Sequence, residues 1–89
     1  MKHLSISVSG KVQGVFFRAT TKEVADQLGI YGFVRNERDG SVYIEAEGDE
    51  ELVNKFLAWC HKGPSHAVVK NVVSEEGSIQ GFTKFEVRR

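Results

Sequence analysis

An α+β sandwich is the fold class this sequence predicts, and three observations predict it. Stretches in which apolar and polar residues alternate read as strands, and two stretches repeat apolar residues at helical spacing. Their order is strand, helix, strand, strand, helix, strand, then one short strand. Polar residues on alternate strand positions leave one sheet face wet, so both helices must cover the other.

The first strand spans roughly residues 3 to 9, where Leu4, Ile6 and Val8 alternate with His3, Ser5, Ser7 and Ser9. Thr21, Val24, Ala25 and Leu28 then share a helical face that Gly29 ends. Thr20 and Glu23 have capping-box spacing, which would start this helix at Thr20, but a start nearer Phe17 is equally compatible. Tyr31 to Glu37 and Ser41 to Glu47 are strand-like, and Asp39-Gly40 between them predicts a tight two-residue hairpin. Asp49 precedes an acidic first turn and the apolar stripe Leu52, Val53, Phe56, Leu57 and Cys60, which predicts the second helix, ended by Gly63-Pro64. Ala67 to Val73 reads as a fourth strand, Glu75 to Gly81 as a loop and Phe82 to Arg88 as a short fifth strand. Two right-handed strand-helix-strand units joined by a hairpin give the split βαββαβ, ferredoxin-like sandwich: an antiparallel sheet, two helices on one face and a short extra C-terminal strand.

The composition fits a single domain spanning residues 1–89. With 40% hydrophobic residues, 27% charged residues and one proline, the chain can build a core without metal or disulfide staples. Twelve basic and twelve acidic side chains cancel, so no overall field draws the protein to nucleic acid or anionic lipid. The first residues begin a strand-like alternation, and no apolar run approaches the ~20 residues of a membrane span, which predicts a cytoplasmic protein without membrane association. Cys60 is the only cysteine and falls on an apolar helical stripe, so it reads as a buried structural thiol.

The chemistry concentrates at Gly10-Lys11-Val12-Gln13-Gly14-Val15-Phe16-Phe17-Arg18, the junction of the first strand and first helix. Glycine permits positive φ and close approach of backbone to ligand, and the first amides of a helix lack internal acceptors. Arginine adds a planar fork matched to phosphoryl oxygens. A glycine turn before a helix is often only a connection, and two nucleotide motifs do not fit. Gly14 is followed by Val15 rather than by the Lys and Ser or Thr of a P-loop, and three spaced glycines are lacking for a dinucleotide fingerprint.

The predicted topology places a second group nearby. The first and second strands run parallel, so their carboxyl ends share one sheet edge, and Asn36 near the end of the second lies about 10 Å away across the intervening third strand. An asparagine near a hairpin often bonds its own backbone, but its amide can also hold a water molecule, which it could not deprotonate at neutral pH. An anion cradle plus a fixed water suffices only where the leaving group departs easily. A carboxylate, with a pKa of about 4 to 4.5, leaves without a general acid, which points to mixed carboxylic-phosphoric anhydrides.

At these residues the sequence resembles the acylphosphatase family, whose first signature reads Gly-x-Val-Gln-Gly-Val-x-Phe-Arg. Gly10, Val12, Gln13, Gly14, Val15, Phe17 and Arg18 match every specified position. The second signature corresponds to Gly32-Phe33-Val34-Arg35-Asn36, followed by Gly40, Val42 and Gly48. Ser65 stands where many relatives carry a second proline, and Phe16 where many carry glycine. The resemblance implies that Arg18 binds the phosphoryl group, that backbone amides of Gln13, Gly14, Val15, Phe16 and Phe17 cradle it, and that Asn36 positions the nucleophilic water. It also implies hydrolysis of an acyl phosphate to a carboxylate and inorganic phosphate without metal or covalent phosphoenzyme. No cofactor is expected, inorganic phosphate or sulfate is the expected ligand, and a monomer is the expected state. The alternative is a non-catalytic anion-binding or regulatory module of the same fold.

Other features predict less. His3, His61 and His66 share no metal-ligand spacing and read as surface or capping residues. Phe16, Phe17 and Phe33 beside basic residues could stack on bases, but the third strand carries Glu45 and Glu47 and no RNA-binding signature, so they read as core and no nucleic-acid partner is expected.

Overall fold

The computed structural model describes residues 1–89. Its elements are β1 (Lys2–Lys11), α1 (Phe17–Leu28), β2 (Tyr31–Asn36), β3 (Val42–Gly48), α2 (Glu50–Lys62), β4 (Val68–Gly77) and β5 (Phe85–Arg88). One sheet has the order β4-β1-β3-β2-β5. The first four strands pair antiparallel, and β5 adds a parallel edge beside β2. This is the ferredoxin-like α+β arrangement.

Leu4, Ile6 and Val8 of β1 and Val42, Ile44 and Ala46 of β3 face the helices and are buried. Thr21 and Ala25 of α1, with Val53, Phe56 and Cys60 of α2, close the core from the other side. The helix ends follow their local chemistry. Gly29, at φ 69°, ends α1 in the left-handed region, while the Asp49 side chain caps α2 by accepting from the Glu51 amide at 3.0 Å.

Several boundaries differ from the sequence expectation for physical reasons. β1 extends to Lys11 because its pairing with β4 shifts register between Ser9 and Gly10, which interrupts the alternation that marks a strand. The close approach requires glycine: a Cβ at Gly10 would sit 2.2 Å from the Val68 carbonyl oxygen. The open choice for α1 resolves to Phe17, with Thr20 inside the helix and its hydroxyl donating back to the Phe16 carbonyl at 2.9 Å.

The two-residue hairpin does not form. The Glu37 amide donates to the Ser41 carbonyl at 2.8 Å, leaving Arg38-Asp39-Gly40 as a three-residue loop with Gly40 at φ 94°. The Asp39 carboxylate accepts from the Ser41 hydroxyl at 2.6 Å and from its amide at 2.9 Å, favouring this wider loop. Those two bonds, the hydroxyl's first, hold the Asp39 carboxyl below its ordinary range.

β4 continues to Gly77, so the expected loop from Glu75 to Gly81 shifts to residues 78–84. Its last turn of sequence is polar because β4 is an edge strand with much of its surface exposed, and such a strand carries no clean alternation. β5 is correspondingly shorter than predicted. Phe82 leaves the strand direction to stack on His3 at 6.0 Å between ring centroids.

His3 is therefore not a surface residue. It is 4% exposed, with Nδ1 2.7 Å from the Glu47 carboxylate and Nε2 3.2 Å from Glu45. Glu47, 1% exposed, accepts from the amides of Gln80, Gly81 and Phe82. Burial pushes this carboxyl up, but the amides and His3 outweigh it and leave it below the ordinary range. The cluster pins the segment that delivers β5 to the sheet edge.

Candidate active site

The segment between β1 and α1 turns sharply at Gly14, with φ 74°, and again at Phe16, with φ 62° and ψ 22°. For a phenylalanine this left-handed conformation costs roughly 1–2 kcal/mol. Its side chain is 77% exposed, so Phe16 is not the core residue the sequence suggested. Phe17, 2% exposed, is. Phe33 is buried, but on the opposite sheet face, beneath Phe82 and with the Arg88 guanidinium 4.0 Å from its ring centroid.

The turn leaves its amides available. No backbone hydrogen bond outside the regular elements is donated by Gln13, Gly14, Val15 or Phe16. Nor does any side chain cap α1, whose first turn contains no acidic residue. Unpaired amides at the positive end of a helix form an anion-binding concavity.

Arg18 and Asn36 converge. They line one cavity of about 390 Å³, with Gly14 and Phe16 on the loop side, Val87 from β5 and Arg89 just beyond it. Arg18 Nη1 donates to the Arg88 carbonyl oxygen at 3.1 Å, which fixes the guanidinium while leaving it further donors. Asn36, the last residue of β2, keeps Oδ1 buried and without a hydrogen-bond partner. It makes none of the local backbone bonds of a turn asparagine, and a buried carbonyl oxygen without a donor calls for one from solvent or ligand.

Gln13 and Val15 act elsewhere through their side chains. Val15 is buried in the core. The Gln13 carboxamide donates to the Glu37 carbonyl at 2.8 Å and the Ser41 carbonyl at 2.9 Å, tying the loop to the base of the hairpin that follows Asn36. The only sequence signal for this tie was a glutamine among apolar and glycine residues. The contribution of β5 had no sequence signal, because a backbone carbonyl carries none.

The acylphosphatase family profile matches residues 4–87. The chain belongs to the acylphosphatase family. It is 50% identical over 88 residues to the acylphosphatase of Thermotoga maritima, covering 99% of this chain and 98% of that one. It is 49% identical over 88 residues to that of Rubrobacter xylanophilus, covering 98% and 80%. The crystal structure of acylphosphatase from Bacillus subtilis superimposes with a TM-score of 0.97 at 33% identity, over 100% of both chains. The activity of this family member is hydrolysis of acyl phosphates to a carboxylate and inorganic phosphate.

Three further features of this acylphosphatase bear on its chemistry. Cys60 is fully buried, and burial pushes its thiol up to about 12, so it supplies no nucleophile. No group of three or more His, Cys, Asp or Glu side chains is arranged to hold a metal ion. No helix is long and apolar enough to cross a membrane.

Proposed function

We propose that Arg18 and the amides from Gln13 to Phe17 hold the phosphoryl group of the acyl phosphate, while the Asn36 carboxamide orients the attacking water. The observation that carries this division is that Asn36, whose buried Oδ1 has no hydrogen-bond partner, lines the same cavity as Arg18. Water donates one hydrogen to Oδ1, which aims an oxygen lone pair at phosphorus. The P–O bond to the acyl oxygen breaks as the new P–O bond forms, and the carboxylate leaves with the bonding pair. The water's proton passes to a phosphoryl oxygen of the substrate.

The charged fork and amides stabilise the equatorial oxygens, where charge accumulates during transfer. A carboxylate leaving group, with a pKa of about 4 to 4.5, needs neither a proton donor nor a Lewis acid, so the reaction proceeds without metal or cofactor. The same reading has one domain, residues 1–89, act as a cytoplasmic monomer on a diffusible substrate.

The test is phosphate release from acetyl phosphate and benzoyl phosphate with a chelator present, for wild type, Arg18→Ala and Asn36→Ala. The expected outcome is chelator-resistant turnover that both substitutions abolish or sharply reduce. Equal rates for all three proteins would overturn the assignment.

A further inference from the structure

Phe16 presents a large apolar ring at the mouth of the cavity in a backbone conformation unfavourable to it. Phe16 caps α1 through its backbone carbonyl alone, and the ring takes no part in the cap. The ring is not used by the core either, being 77% exposed.

The reaction geometry says what lies beside it. In phosphoryl transfer the nucleophile and leaving group stand roughly in line on opposite sides of phosphorus. With water held at Asn36, the acyl group points away from Asn36, among the cavity residues outside the phosphoryl cradle. Of these, Val12 is 1% exposed and has its surface already covered, whereas Phe16 at 77% and Val87 at 43% have apolar surface left to share with a ligand. A cavity of about 390 Å³ also has room for more than a phosphoryl group and one water.

We propose that Phe16, with Val87, forms an acyl-group subsite that makes this enzyme selective for acyl phosphates with aromatic or bulky apolar acyl groups. The planar acyl group of such a substrate stacks on the Phe16 ring, and both faces lose water on binding. This rests on the phosphoryl and water assignments above. Arg89 lines the same mouth and would instead favour acyl groups bearing a second negative charge, so the two chemistries compete in the test.

The experiment compares kcat/KM for benzoyl, acetyl and succinyl phosphate in wild type, Phe16→Gly and Phe16→Asn. Glycine and asparagine both accept the left-handed conformation, so the loop keeps its path without the ring. Because the substrates differ in intrinsic reactivity, the readout is the benzoyl-to-acetyl ratio in each protein, in which any shared change at the phosphoryl cradle cancels. The ratio should fall about tenfold in both variants, with the succinyl-to-acetyl ratio unmoved. A benzoyl-to-acetyl ratio unchanged by both substitutions, or a succinyl preference that the variants keep, would overturn the subsite while leaving hydrolysis itself intact. Failure of wild type to hydrolyse any of the three would instead strike the underlying assignment.

Discussion

Arg18 donates a hydrogen bond from Nη1 to the Arg88 carbonyl oxygen, 3.1 Å away across 70 positions of sequence. The guanidinium is thus oriented by the last strand of the sheet, and phosphate affinity depends on the C-terminus being seated. Deleting Arg88 and Arg89 removes that acceptor. A hydrogen bond to a charged group is worth roughly 1.5 kcal/mol, so inorganic phosphate should inhibit the truncated enzyme about tenfold less strongly. Competitive inhibition constants check this, with circular dichroism confirming the fold.

Replacing Arg18 by lysine keeps the charge but loses the fork. A single ammonium cannot hold the Arg88 carbonyl and two phosphoryl oxygens in one plane, so Arg18→Lys should weaken phosphate binding. Calorimetric titration with inorganic phosphate measures it. Asn36→Ala should differ by leaving phosphate affinity nearly unchanged while lowering kcat roughly 100-fold, because water placement matters in the reaction rather than in the bound state. Equal loss of affinity in both variants would contradict this separation.

The Gln13 carboxamide bridges the loop and the hairpin through the Glu37 and Ser41 carbonyls. Gln13→Leu has similar bulk and leaves the peptide amide in place, but it removes the cross-link, and the two carbonyls keep only their backbone donors, Gly40 and Glu37. Stability should fall by about 1–3 kcal/mol, read from urea denaturation, and kcat should fall more than KM rises as the cradle and Asn36 lose their fixed spacing.

Acid should destabilise the protein through Glu47. Its carboxyl lies below the ordinary value of 4.5 when folded, so its contribution is fully present above that value and is lost as pH falls through the lower folded one. Unfolding midpoints in urea measured from about pH 6 to about pH 3 should decline, and Glu47→Gln should show a shallower decline from a lower starting stability. An unchanged pH slope would rule Glu47 out as the source.

Cys60 should resist thiol reagents in native buffer and react at once in denaturant, because its buried thiol is held at about 12 and shielded by the core. A disulfide-exchange colour assay with and without urea checks this.

The sequence was most informative where a residue's role is carried by its own backbone preference or side-chain period. Leu4, Ile6 and Val8 announce β1, Asp49 announces α2, and the topology built from such elements puts Arg18 and Asn36 at one sheet edge. It was least informative where partners are distant. The ring of Phe16 looked like core because periodicity cannot register a left-handed turn that throws a side chain outward. His3 looked like surface because its cover, Phe82 and the 78–84 segment, arrives from the far end of the chain. The Asp39-Gly40 hairpin widened because a carboxylate found Ser41, a tertiary detail that outweighs the dipeptide's preference.

The sheet order β4-β1-β3-β2-β5 interleaves early and late parts of the chain, and the pocket draws on the turn after β1, the tip of β2 and the carbonyl of β5. Such distant closures form slowly compared with helices. Regain of turnover during refolding should therefore lag recovery of helical signal, making the enzyme's own reaction a clock for the docking of its final strand.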